Sequence, residues 1–210
     1  MIYDLFPKHN YTTIVVSEEG DIFVKKYTAE PMNVTYINDN IQCFSGDPKE
    51  FKFNDINISF EIPFNTNVLH ALQLSKLMHA GQKYGKRDYF THHICNVVKA
   101  VVKELSKDNQ YTMIDSHKLI TVAALHDIRE DCFVPDITIR TLFGDEVANA
   151  VDAITYKRDT EDRNQYYNRI LKNKLASFVK LKDAGENLFN CRIENDDKRA
   201  IRYERLITIL

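Results

Sequence analysis

Leu119-Ile-Thr-Val-Ala-Ala-Leu-His-Asp-Ile-Arg-Glu-Asp-Cys132 constrains this chain more than any other stretch. It opens apolar and ends in His126, Asp127, Glu130 and Asp131. Ala123, Ala124 and Leu125 are good helix formers, and neither Gly nor Pro intervenes before Pro135. The run predicts a helix from about Asp115 to Glu130. His126 and Glu130 then fall one turn apart, as do Asp127 and Asp131. Burying such a cluster is costly unless a cation or strong partners compensate it. Carboxylates at a helix C-terminus also oppose its macrodipole, so stability alone does not select them. The alternative is a solvated helix end, and residues elsewhere in the chain must decide between the two.

The chain has 210 residues, 44% of them hydrophobic, enough for one helical domain plus an appendage built without disulfides. The net charge of −2 gives no sign of a nucleic-acid binder, although a local basic pocket is compatible with it. Cys43, Cys95, Cys132 and Cys191 show no CxxC spacing and read as reduced structural thiols of a cytoplasmic protein. There is no apolar run of membrane-spanning length, no signal-peptide pattern and no repeat.

Residues 1–64 carry a β-type pattern. Tyr11 to Val16 and Asp21 to Tyr27 read as strands around a Ser17–Gly20 turn. Asn33 to Ile37, Ile41 to Phe44 and Phe51 to Phe60 continue the pattern, with turns at Asn38–Asn40 and Ser45–Pro48. The expectation is a small antiparallel meander that carries no chemistry of its own. Pro63 marks the boundary, Asn65 to Asn67 can cap the next element, and from there to Leu210 the period is helical. Val68, Leu69, Leu72, Leu74, Leu77 and Met78 form a first stripe, ending near Gly81 to Gly85. Helices follow at Thr91–Ser106, Asp115–Glu130, Pro135–Phe143, Glu146–Tyr156, Glu161–Asn173, Leu175–Leu188 and Asp196–Leu210. The fold class is mostly α: a bundle over residues 65–210 behind a β-rich region, 1–64.

Ligand-type residues stand at three further places: His79, the pair in Thr91-His-His-Ile94, and Asp183 in Lys180-Leu-Lys-Asp183-Ala-Gly-Glu-Asn187-Leu188. Imidazoles combined with carboxylates suit Mn, Fe or Zn better than Ca or Mg, which prefer oxygen alone.

In this order the motifs resemble the HD-domain phosphohydrolases, and among them the RelA/SpoT-type and small alarmone hydrolases. The match consists of His79-Ala-Gly-Gln82, Phe90 three residues before His93, and His126-Asp127-Ile-Arg-Glu130-Asp131. Phe143-Gly144 with Val147, Val151 and Thr155, and Lys180 to Leu188, complete it. The matched pieces span about two thirds of the chain, and the β region lies outside them. The resemblance implies that His93, His126, Asp127 and Asp183 hold one divalent metal, Mn2+ ahead of Fe2+ or Zn2+. An ungapped count from Gln82 selects His93, with His92 as its rival. Glu130 and Asp131 are then general base and orienter of the attacking water. His79 is a candidate to support the site from behind the ligands, and Asn187 resembles the residue that contacts the nucleotide sugar.

The chain departs from that pattern where the family carries a substrate-gripping Arg-Lys pair, since Tyr84-Gly85 stands there. Lys83, Lys86 and Arg87 are the nearby candidates to supply the charge. Arg129 is a candidate either to meet a substrate phosphate or to pair with a carboxylate. Ala184-Gly185-Glu186 replaces Arg-Leu-His, placing a glycine inside a helix at a cost of about 1 kcal/mol. The function implied is Mn2+-dependent removal of the 3′-pyrophosphate from guanosine alarmones, (p)ppGpp, in the stringent response. The alternatives are hydrolysis of another phosphorylated nucleotide, such as NADPH or a nucleoside phosphate, and a binding module without turnover. The partner is a small nucleotide, with neither nucleic acid nor membrane, and a homo-oligomer is left open.

Overall fold

A computed structural model describes residues 11–27, 36–37, 43–44, 57–107 and 111–210. The expected strand segments 33–35, 41–42 and 51–56, and the turns at 38–40 and 45–48, lie outside the described residues.

Strands β1 (Tyr11–Ser17), β2 (Ile22–Tyr27), β3 (Tyr36–Ile37) and β4 (Cys43–Phe44) pair in succession as antiparallel neighbours. The meander reading stops there. Strand β5 (Ile58–Pro63) returns to the far edge of β1, giving the order β4-β3-β2-β1-β5, with a register shift between Val16 and Ser17. Ile14 lies opposite Val24 on one side and Ile62 on the other. Ile14, Val16, Ile22, Phe60 and Ile62 belong to the same buried cluster as the helices, so the sheet packs directly against the bundle. The contact is tight at the β1–β2 turn. Gly20 has φ +86°, and a Cβ there would stand 2.7 Å from Thr91 Cγ2.

The helical part is α1 (Thr66–Met78), α2 (Cys95–Leu105), α3 (Met113–Leu125) and α4 (Asp136–Phe143), then α5 (Asp145–Ile154), α6 (Arg163–Leu171), α7 (Lys174–Ile193) and α8 (Asp197–Ile209). Their starts follow the side chains: Asn65, Thr112, Asn173 and Asp196 each accept a backbone N–H, and Asp162 with Gln165 forms a capping box. Helix α3 is the hub. Every residue from Leu119 to Leu125 is buried, as expected of a helix apolar on all sides and packed by α1, α2, α5 and α7.

Four features of the helical part differ from the sequence reading. Helix α3 ends at Leu125 rather than Glu130, and residues 126–132 form turns. The second helix does not begin regularly at Thr91, because Phe90–Ile94 forms a π turn that leads into α2. A short hairpin, β6 (Lys83–Tyr84) with β7 (Arg87–Asp88), occupies the stretch between the first two helices, where no strand was expected. Helix α7 also runs through Gly185 to Ile193, past the Leu188 end expected for it. No helix among the described residues is long and apolar enough to cross a membrane.

Candidate metal centre

The end of α3 is shaped by its own side chains. His126 Nδ1 donates to the Ala123 carbonyl at 2.8 Å, and Ile128 N–H takes the Leu125 carbonyl at 3.1 Å. Two carbonyls left without helical partners are thus satisfied. A carbonyl only accepts, so Nδ1 carries the proton, and in the neutral ring the lone pair is on Nε2.

That Nε2 faces the other candidate ligands. It lies 3.1 Å from His93 Nε2, 3.1 Å from Asp127 Oδ2 and 3.7 Å from Asp183 Oδ1. His93 Nε2 lies 3.1 Å from the same Asp127 oxygen and 3.4 Å from the same Asp183 oxygen. His93, His126 and Asp183 place ligand atoms within 4.8 Å of one another, and Asp127 joins them through both imidazoles. Ligands adjacent around an ion with bonds of about 2.1 Å stand roughly 3.0–3.5 Å apart, so the donor set and its spacing fit one divalent cation.

The electrostatics favour positive charge at this point. Burial works against protonating His126, yet Asp127 and Asp183 outweigh it and raise its pKa to about 9. Burial also works against the charge of Asp127, and the two imidazoles outweigh that, holding it well below the ordinary carboxylate range. Asp183 is lowered likewise, by Lys180 first and then by the imidazoles, against its burial.

Each ligand is held from behind. Tyr89 donates to Asp127 Oδ2 at 2.7 Å and stacks on the buried His79 at 4.9 Å. The π turn begins immediately after Tyr89, and its wide winding serves both Tyr89 and His93, four residues apart, to one carboxylate. His93 Nδ1 makes no hydrogen bond among the described residues, and its ring is instead stacked on Tyr84, centroids 5.0 Å apart. Lys180 lies 2.6 Å from Asp183 Oδ2, and Asn187 Nδ2 donates to Asp183 Oδ1 at 2.5 Å. The rival His92 points elsewhere, with Nδ1 3.0 Å from Thr91 Oγ1.

Two acids flank the cluster without joining it. Glu130 accepts from Tyr156 N–H at 3.1 Å and pairs with Arg158 at 3.0 Å. Asp131 Oδ2 accepts from Gln82 Nε2 at 2.9 Å, and Gln82 Oε1 is 2.7 Å from His79 Nδ1. His79 therefore serves both the Tyr89 ring and the Asp131 carboxylate.

A polar cleft of about 240 Å³ adjoins the centre, with His93, Asp127, Asp183, Glu130 and Asp131 in its lining. Among the described residues, the cations lining it are Arg158, Arg163, Lys180, Arg199 and Arg202. Lys83, Lys86 and Arg87 are exposed on the β6–β7 hairpin and do not line it. Tyr84 of that hairpin does. Its hydroxyl, pushed up to about 12 chiefly by burial, donates to Asn187 Oδ1 at 2.9 Å. Asn187 thus spends its amide on Asp183 and Tyr84 rather than presenting it to solvent. Arg129 binds Asp152 and lies 3.5 Å from Asp136, so it pairs with carboxylates. Tyr89, Tyr156, Tyr203 and the α8 arginines were missed from sequence, whereas Tyr166 and Tyr167, in the stretch the resemblance places at the closing side of the pocket, do line the cleft; only the helical spacing of Arg199, Arg202 and Tyr203 hinted at a shared face.

No family profile and no curated protein sequence matches the chain. Solved structures that match include one described as a metazoan ortholog of SpoT that hydrolyzes ppGpp and plays a role in starvation responses. The two share 21% identity over 71% of this chain and 94% of that one, with a TM-score of 0.54. At that identity the likeness concerns the fold alone, which in this chain is a mostly helical bundle with a small antiparallel sheet at its N-terminal side.

Proposed function

We propose that the chain is an HD-type phosphohydrolase that uses one divalent metal, Mn2+ first, to cleave a phosphorylated nucleotide. His93, His126, Asp127 and Asp183 are its ligands. The observation that carries this reading is the convergence of two imidazole nitrogens, 3.1 Å apart, with one oxygen of Asp127 and one of Asp183, each 3.1–3.7 Å from both nitrogens, beside two acids that stay outside the cluster. A cation bound there supplies Lewis-acid stabilisation of charge developing on phosphorus.

The chain's own residues do the rest. Glu130 is anchored on Tyr156 N–H and Arg158, which leaves each oxygen a further lone pair to accept a proton from attacking water. Asp131, oriented by Gln82 and through it by His79, is placed to align that water. Tyr89 and Lys180 fix the two ligand carboxylates, so little reorganisation is needed as charge develops. Asn187 acts first as a support of Asp183, and a sugar contact requires it to release Tyr84.

Guanosine alarmones, cleaved at the 3′-pyrophosphate, are the first substrate to test. The absence of Lys83, Lys86 and Arg87 from the cleft lining favours a second candidate, another phosphorylated nucleotide such as NADPH or a nucleoside phosphate. Glu130 and Asp131 speak for turnover over mere binding. The test is phosphate or pyrophosphate release from each nucleotide by purified protein, with Mn2+ and with chelator. Asp127→Ala should lose metal and activity together, whereas Glu130→Ala should keep the metal and lose turnover. Full turnover in chelator would sink the metal-dependent reading.

A further inference from the structure

Helix α3 stops at Leu125, so Glu130 stands on a turn and not on a helix. Side-chain contacts must then fix where its carboxylate lies. Glu130 reaches across to the segment after α5, where Tyr156 N–H donates to Oε2 at 3.1 Å and Arg158 donates to Oε1 at 3.0 Å. Arg129, the residue before it, is tied to the same region by a different route. Its Nη1 forms an ion pair with Asp152 of α5 and lies 3.5 Å from Asp136 at the start of α4. Asp152 in turn holds Lys157 Nζ at 3.0 Å. Neighbouring residues of the turn are thus bound to neighbouring residues of the facing segment: Arg129 to Lys157 through Asp152, and Glu130 to Tyr156 and Arg158 directly. The Arg129 and Asp152 side chains are 20% and 30% exposed, so water and salt screen the pair less than one on the open surface. Arg129 is not among the described residues that line the cleft at the metal ligands, so its work is not a contact made there.

We propose that Arg129 is the positioning residue of Glu130: by pairing with Asp152 it clamps the 126–132 turn to the end of α5 and holds the Glu130 carboxylate where Tyr156 N–H and Arg158 meet it. This inference rests on the reading that Glu130 takes a proton from the attacking water. A general base works only within hydrogen-bond reach of that water, and a misplacement of about 1 Å costs about 100-fold in rate. Two hydrogen bonds to a facing segment orient Glu130 only while the distance to that segment is fixed, and Arg129 fixes it. The receiving carboxylate is itself anchored, since Asp152 binds Lys157 and its backbone carbonyl accepts from Arg169. Asp127 is held separately, by Tyr89 and the two imidazoles, so metal binding should be independent of the clamp.

Amide hydrogen exchange, followed by NMR on the full chain in chelator, reads the clamp without any substrate. Glu130 protects the Tyr156 N–H, and Glu130→Ala sets the rate of that amide when it is open. Arg129→Met should raise Tyr156 exchange by about tenfold or more toward that rate. The preceding Thr155 N–H, bonded to the Val151 carbonyl at 3.1 Å, should keep its rate. Arg129→Lys should restore part of the protection, because it keeps the charge. Asp152 retains Lys157 and Arg169 in Arg129→Met, so no buried charge is left alone and the fold is kept. An unchanged Tyr156 rate overturns the proposal, and so does an equal rise at Thr155, which would be general loosening. Turnover with Mn2+ is the second readout, on the nucleotide that the wild type cleaves. Arg129→Met should lower kcat by about 10–100-fold and leave KM and Mn2+ affinity within about twofold. In a Glu130→Gln background the same substitution should add almost nothing, since the two residues act as one unit. A full effect in that background, or weakened Mn2+ binding in place of slower turnover, also overturns the proposal. If the wild type cleaves no nucleotide, the hydrolase reading fails, and Tyr156 exchange alone decides the clamp.

Discussion

Replacing Lys180 by Met probes the charge balance of the centre directly. Lys180 Nζ lies 2.6 Å from Asp183 Oδ2, with the two side chains 13% and 3% exposed. Burial opposes the ammonium, but Asp183 more than offsets it, so the amine stays charged. Methionine keeps the length and apolar stem of lysine and leaves the carboxylate buried without its closest cation. Removing one partner of a buried pair costs about 3–5 kcal/mol. Asp183 retains Asn187 and two imidazoles, which puts the loss at the lower end, about 3 kcal/mol. For a chain of this size each kcal/mol moves Tm by about 2–4 °C, so the variant should melt about 6–12 °C below wild type in chelator. A divalent cation restores positive charge beside Asp183, so saturating Mn2+ should recover several degrees of the gap. Thermal unfolding followed by circular dichroism, with EDTA and with Mn2+, measures both. A variant melting within about 2 °C of wild type in EDTA would refute the reasoning, because Asp183 could not then be a buried charge that depends on Lys180.

Tyr89→Phe should keep the stack on His79 and lose the hydrogen bond to Asp127, weakening Mn2+ binding by about 10–100-fold in a metal titration while Tm in chelator changes little. Gly20→Ala should destabilise by about 1–3 kcal/mol in urea unfolding, since it places a Cβ 2.7 Å from Thr91 at φ +86°, and an unchanged midpoint would mean that the sheet does not dock on the π turn. Glu161 is held below its usual pKa by Arg169 and the Lys157 N–H, against its burial. A depressed carboxyl stabilises the fold above its unfolded pKa of about 4.3 and loses that contribution as pH falls through the folded value. Glu161→Gln should therefore flatten the acid limb of the stability curve below about pH 4.5, and an acid limb as steep as that of wild type would count against this.

The sequence and the structure agree where periodicity and capping rules apply and diverge where a particular side-chain contact or tertiary packing decides. The stripe from Leu119 to Leu125 marks a helix buried on all sides, and Asn65 caps α1 as its position suggests. The His126, Asp127 and Asp183 positions could be picked out because ionisable groups directly after apolar runs are expensive unless they meet something. The end of α3 could not, because it depends on the His126 ring taking the Ala123 carbonyl, a contact that helix propensity does not encode. His93 was selected over His92 by the ungapped count from Gln82, whereas the π turn on which it sits, one residue of extra winding, is something no periodicity rule anticipates. The cationic lining was hidden for a different reason. Arg163, Arg199 and Arg202 look like solvated helix faces until tertiary packing folds α6 and α8 over the cleft. Conversely, Lys83, Lys86 and Arg87 were attractive by sequence distance from Gln82, but the β6–β7 hairpin directs Tyr84 inward and leaves the basic residues outside.

The central claim is one cation held by two imidazoles and two carboxylates from four separated places in the chain. Pulsed electron paramagnetic resonance on protein titrated with Mn2+ tests it most directly. The account predicts one bound ion per chain with couplings to two ring nitrogens, one of which disappears in His93→Gln, and much weaker binding in Asp183→Asn. An ion bound without imidazole coupling, or binding indifferent to both substitutions, would contradict it.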